Sequence, residues 1–163
     1  MSGALIMLLP FFEWCEASAL GEFIRTSLWL FPAIECVHLL GLVLLGGAVL
    51  VVDLRLLGLG LSDHSAQAVG AAAHRLMLMG VGVMLFTGLP LFLSEAVKCY
   101  YSDAFWVKIT TLVPAILFAL TVRRWVWRAE DGRVGRMAQA CTALTSLALW
   151  FTVAAGGRWI GFS

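Results

Sequence analysis

The sequence predicts an all-α fold: an integral-membrane four-helix bundle forming a single domain, 1–163, preceded by a short interfacial N-terminal helix. Three observations carry this expectation. Hydrophobic residues make up 61% of the chain and charged residues 13%, whereas soluble domains run about 45–50% and 25%. The mean hydropathy is +0.94. Four stretches, 28–57, 74–95, 105–127 and 138–160, each hold the roughly 20 apolar residues that a hydrocarbon core about 30 Å thick asks of a helix. No water reaches that core to satisfy backbone N–H and C=O groups, so each stretch must be helical.

The N-terminal segment "MSGALIMLLPFFEWCEAS" has no basic start, and Pro10 and Glu13 interrupt its apolar run. It reads as a retained segment, not a cleaved signal peptide. Residues 11–27 alternate apolar and acidic positions at roughly helical spacing, which suits a helix lying in the interface. In the first span, Glu35 and His38 stand one helical turn apart within "LFPAIECVHLLGLVLLGGAVLVVDLRLLG". Asp53 and Arg55 close that span and Arg75 lies near the start of the second, which predicts a structural ion pair of Asp53 with Arg75 or Arg55. Pro90 predicts a kink in the second span, where it leaves the Phe86 carbonyl without its donor. Met77, Met79 and Met84 on the same span read as packing residues.

Orientation follows from arginine. The third connection holds Arg123, Arg124, Arg128, Arg133 and Arg136, whereas the second offers Lys98 and Lys108. The positive-inside rule places the third connection, and by parity the first, in the cytoplasm. Both termini then face the periplasm, and the chain is expected in a bacterial inner membrane. The lipid bilayer is its first partner, with anionic head groups beside the arginines. The net charge of +1 gives no sign of nucleic acid. The four cysteines form no CxxC pair, so no zinc site or disulfide framework is suggested, although Cys15 and Cys99 are candidates to pair in an oxidising compartment.

His38 lies about 13 Å below Trp29 at 1.5 Å per residue. An ionisable side chain at that depth points by default into the bundle, towards a partner or a bound group. Glu35 shares its face, and Gly41 continues it towards Gly46 and Gly47. Four readings are open for His38: an interhelical hydrogen-bonding group, a haem iron ligand, a ligand to copper with Cys36 or methionines, and a proton-transfer group. A di-iron site is not indicated, since the chain has a single Glu-x-x-His. His74 is expected near the level of Asp53, about 22 Å from His38 along the bundle, too far to share one iron. His64 reads as a loop residue, and a second site made by His64 and His74 stays conceivable.

Partners for His38 come from the same half of the other spans. The second supplies Thr87 and Gly88, the third Lys108, and the fourth Arg158 after Gly156 and Gly157. Lys108 and Arg158 either snorkel to the interface, neutralise Glu35, or bind a carboxylate such as a haem propionate. Lys108 lies only about 3 Å below Trp106, so meeting His38 requires tilt, a deeper third helix or a lysine that reaches inward.

The segments "FFEWCEASALGEFIRTSLWLFPAIECVHLLGLVLLGGAVLVVDLRLLG", "TGLPLFLSEAVKCYYSDAFWVKITTL" and "SLALWFTVAAGGRWIGF" resemble an uncharacterised bacterial family of small four-helix membrane proteins. More distantly, His38 followed by glycines and "DLRLL", with Phe105-x-x-Lys108, is similar to HemJ-type protoporphyrinogen oxidases and CopD-type copper-resistance proteins. The HemJ resemblance implies haem binding at His38 and Lys108. Asp53, where that pattern usually has proline, and the preceding interfacial helix depart from it.

Three function classes emerge. The first is a membrane b-type haem protein in electron transfer or oxidation of a hydrophobic substrate, with His38 as metal ligand and Lys108, Arg158 and Glu35 around the cofactor. The second is a copper-handling protein of CopD type. The third is a non-catalytic subunit or assembly partner of a larger membrane complex. The sequence carries no phosphate loop, dinucleotide fingerprint or nucleophile elbow.

Overall fold

The computed structural model describes residues 7–61, 63–129 and 133–161. Its helices are α1 (Leu9–Glu16), α2 (Ala19–Thr26), α3 (Leu30–Leu57), α4 (Ala66–Ser94), α5 (Ala96–Tyr101), α6 (Asp103–Arg128) and α7 (Arg136–Ile160). α3, α4, α6 and α7 are each long and apolar enough to cross a membrane. The protein is an all-α, multi-pass membrane bundle with short helices at its N-terminus. The start of the N-terminal segment expected to be retained, at residues 1–6, and the tip of the third connection, at 130–132, lie outside the described residues.

Capping chemistry moves three boundaries from their expected places. α4 begins at Ala66, not at residue 74, because the Ser65 hydroxyl accepts the Ala68 N–H at 3.1 Å and starts the helix ahead of its apolar run. His74 therefore stands two turns inside α4. The interfacial segment is two helices, since Ser18 adopts an extended conformation and its hydroxyl caps a new start by accepting the Gly21 N–H at 3.2 Å. α5 was not expected. Its first turn is satisfied from a distance, by the Glu16 carboxylate accepting the Val97 N–H at 2.6 Å. α3 ends at Gly58, whose φ of 75° is the left-handed conformation that closes a helix and suits glycine.

Lipid tails are as apolar as leucine, so membrane helices are held by close packing and polar contacts rather than by exclusion from water. Small residues supply the closeness. α3 crosses α4 where a Cβ on Gly80 would stand 2.8 Å from the Leu45 backbone nitrogen. α6 crosses α7 where a Cβ on Gly156 would stand 3.1 Å from the Ala104 carbonyl. Trp127 of α6 lies flat against Gly70 of α4. α3 also packs on α7, whereas α4 meets α6 chiefly through the last turn of α6.

The core is divided. A large cluster around Leu45, Val49, Val52, Met77, Ala119 and Trp127 fills the half of the bundle towards the arginines, hereafter the arginine end. A second cluster, around Phe12, Cys15, Ala96, Cys99 and Tyr100, docks α1 on α5 and covers the opposite, capped end. Arg25 helps hold this cap, pairing with Glu16 at 3.4 Å and donating to the Ser94 carbonyl at 3.3 Å. Between the clusters α3 buries no residue before Gly41 and α6 none before Ala115, so much of both helices faces outward there. That half contains His38.

Gly80→Val should lower stability by about 1–3 kcal/mol, because the Leu45 backbone cannot yield. Gly82→Val, whose Cβ would meet nothing within 4 Å, should change it by less than about 0.5 kcal/mol. Thermal unfolding of the detergent-solubilised variants reads the difference.

Candidate functional site

His38 lies on the buried face of α3, half-buried, and its Nδ1 stands 2.7 Å from the Thr87 hydroxyl of α4. The Thr87 hydroxyl donates its single proton to the Val83 carbonyl at 2.6 Å. Having spent that proton, Thr87 can only accept from the imidazole. The contact therefore fixes the tautomer: Nδ1 carries the hydrogen and Nε2 keeps its lone pair. This is the arrangement that orients a metal-ligating histidine, with one ring nitrogen anchored and the other free to donate electrons. Gly88 lets the ring lie against α4, since a Cβ there would stand 3.3 Å from His38 Cε1.

Lys108 approaches from α6. Its stem passes Gly156, where a Cβ would stand 3.1 Å from Lys108 Cβ, and its ammonium reaches Gly157, where a Cβ would stand 3.4 Å from Nζ. The glycine pair on α7 is thus a trough for a lysine chain. The ammonium lies within electrostatic reach of both His38 and Cys99. Among the described residues no carboxylate pairs with it.

His38 meets Thr87 and Gly88, and Lys108 meets Gly156 and Gly157. The structure places the other two expected site residues at the margin. Glu35 is exposed on α3 and makes no hydrogen bond or ion pair among the described residues, and Arg158 is exposed near the end of α7. Cys36 is also exposed, and no group of three or more His, Cys, Asp or Glu able to hold a metal ion occurs among the described residues.

Nearer the arginine end lies a second polar centre that the sequence reading assigned differently. Asp53 pairs with Arg123, not with Arg75 or Arg55: Arg123 Nε donates to Asp53 Oδ1 at 2.7 Å, and both side chains are buried, at 2% and 0% exposure. Arg123 Nη2 donates to the Val49 carbonyl at 3.0 Å, and Nη1 lies 3.6 Å from Met77 Sδ. The correction has a physical cause. Asp53 lies on the same buried face as Val49, Val52 and Leu56, whereas Arg75 is exposed on α4 and Arg55 donates to the His64 carbonyl at 2.6 Å. A π-helical turn at Ala119–Arg123 stacks Arg123 onto the buried Ala115 and Ala119 face. The Ser146 hydroxyl of α7 stands beside the same carboxylate, yet neither it nor Asp53 Oδ2 has a hydrogen-bond partner.

The remaining sequence candidates disperse. His64 sits exposed in the first connection, whereas His74 packs beside Trp127 with ring centroids 5.9 Å apart. Of the methionines, Met77 is buried in the core and Met79 is 60% exposed. Cys15 and Cys99 are both free thiols in the capping cluster. Burial raises the Cys15 thiol above its ordinary range. Burial, reinforced by the Glu95 carboxylate and opposed by Lys108, pushes the Cys99 thiol up to about 11.

These elements define a small four-helix membrane protein with one half-buried histidine in its capped half. The chain belongs to a family described as "Family of unknown function (DUF6644)", whose model matches residues 11–163. No curated protein and no solved structure matches it.

Arg123→Gln should strand the Asp53 carboxylate and cost about 3–5 kcal/mol, whereas Asp53→Leu/Arg123→Met should recover most of that loss. Unfolding in detergent measures both. Alkylation of Cys99 should keep rising about tenfold per pH unit from pH 8 to 10, where a thiol of ordinary pKa, about 8.5, levels off. Mass spectrometry of iodoacetamide-treated native protein follows it.

Proposed function

We propose that the protein is a b-type haem protein of the bacterial inner membrane, serving electron transfer or oxidation of a hydrophobic substrate, with haem in the capped half of the bundle on His38. The observation that carries this reading is the hydrogen bond from His38 Nδ1 to a Thr87 hydroxyl already committed to Val83, which leaves Nε2 as a neutral donor in the half of the bundle where α3 and α6 bury few side chains. The donor chemistry fits haem, whose porphyrin supplies four of the iron's ligands and asks the chain for as few as one. Copper asks for further protein donors to converge, and the described residues hold no such group.

The chain's own residues divide the work. His38 is the iron ligand, Thr87 positions its ring, and Gly88 admits the ring against α4. Lys108, a cation with no carboxylate partner among the described residues, suits a haem propionate, with Arg158 available nearer the surface. Glu35 is placed to act at the rim. Haem supplies a one-electron iron couple, and the protein sets its ligand, its surroundings and its access. The resemblance of His38 and Lys108 to the HemJ-type pattern, a reading of the sequence alone, points to the same site. The arginine-rich third connection supports an orientation with the capped end and both termini periplasmic.

Absorption spectra of the purified protein, oxidised and dithionite-reduced, with a pyridine haemochrome assay, test the reading. Wild type should give a b-type spectrum that His38→Ala abolishes. Thr87→Val should keep the haem but raise its midpoint potential, because an imidazole that loses its Nδ1–H acceptor is a poorer donor to ferric iron. A colourless wild type from haem-replete cells would overturn the proposal. Copper retained after loading would then favour the CopD-type reading, and loss of stability alone in His38→Ala would favour a non-catalytic subunit.

A further inference from the structure

Away from the haem site, cationic groups gather where α4 meets the last turns of α6. His74 packs beside Trp127 with ring centroids 5.9 Å apart and feels the positive charge of Arg124, Arg128 and Arg123. Arg123 is taken by Asp53, but Arg124 is not: its Nε is buried and has no hydrogen-bond partner. Arg128 lies with its guanidinium carbon 5.9 Å from the centre of the Trp127 ring, and Trp127 is fixed against Gly70. Apart from the Asp53 and Arg123 pair, the residues of this end are six arginines (55, 75, 124, 128, 133, 136) against three acids (63, 130, 131), a net charge of +3. A buried guanidinium N–H without an acceptor is costly, and a second guanidinium and an imidazole beside it define what acceptor would relieve it. That acceptor is an oxyanion able to take several donors at once.

We propose that the seam between α4 and α6 at the arginine end binds the phosphate of an anionic phospholipid head group. Arg124 and Arg128 hold the phosphate oxygens and His74 adds a hydrogen bond. Trp125 and Val122, 67% and 45% exposed on the same turns, provide the apolar surface along which acyl chains lie. This surface is the reason for a lipid in place of free phosphate. The site is independent of the haem reading.

The test is binding to delipidated, detergent-purified full-length protein, followed by native mass spectrometry and thermal shift. The probes are phosphatidylglycerol, phosphatidylcholine of the same acyl chains, and inorganic phosphate. Phosphatidylglycerol should bind preferentially, and Arg124→Gln/Arg128→Gln should weaken it roughly 30-fold, from about fivefold for each arginine removed. Arg133→Gln/Arg136→Gln, which removes the same charge elsewhere, should stay within about threefold of wild type. If the first pair does not fold, Arg128→Gln alone should weaken binding about fivefold. Equal binding of the two lipids, equal losses in the two paired variants, no loss in Arg128→Gln, or equal stabilisation by inorganic phosphate would each overturn the proposal.

Discussion

The buried contact between Asp53 and Arg123 is the constraint around which the bundle is arranged. A carboxylate and a guanidinium withdrawn from water within membrane-spanning helices are tolerable only together, and further hydrogen bonds ease the cost, although Asp53 Oδ2 makes none here. The requirement reaches all four long helices. α3 supplies Asp53 and the Val49 carbonyl, α4 supplies Met77, α6 supplies Arg123, and α7 brings Ser146 alongside. The π-helical turn at Ala119–Arg123 belongs to the same solution, since it turns a residue of a basic helix end into the core.

Glycine crossings and the cluster around Trp127 draw the arginine end together. At the other end, α1 and α5 form a lid tied down by the Glu16 carboxylate and by Arg25, with Phe12 set among the rings of Phe92, Tyr100, Phe105 and Trp106. Between these fixed ends the helices leave His38 and Lys108 only half-buried. Ligand sites between bundle helices need rigid elements that hold the donors, and the two fixed ends supply them.

The two polar centres differ in kind. At Asp53 and Arg123 opposite charges neutralise one another, and the plain reading is structural. At His38 and Lys108 a neutral imidazole and a cation have no carboxylate paired with them among the described residues, so the site as it stands has electron-pair and positive-charge capacity to offer a ligand. That contrast makes the His38 half of the molecule the functional candidate and the Asp53 half its scaffold.

The sequence by itself determined the class: 61% hydrophobic residues and four long apolar stretches leave the backbone no choice but membrane helices. It also singled out His38, because an ionisable group so deep in a span stands out against its apolar neighbours, and it named Thr87, Gly88, Lys108, Gly156 and Gly157 as residues of the same half of the bundle. Only the tertiary structure decided which of these meet, since hydrophobic periodicity says little about rotation in helices that are apolar all round. It anchored His38 on Thr87, left Glu35 exposed, and ran Lys108 along the glycines of α7. It also moved Arg123 from the basic surface into the core. A π-helical turn has no period in the sequence, and a partner 70 residues away is chosen by packing, not by local pattern.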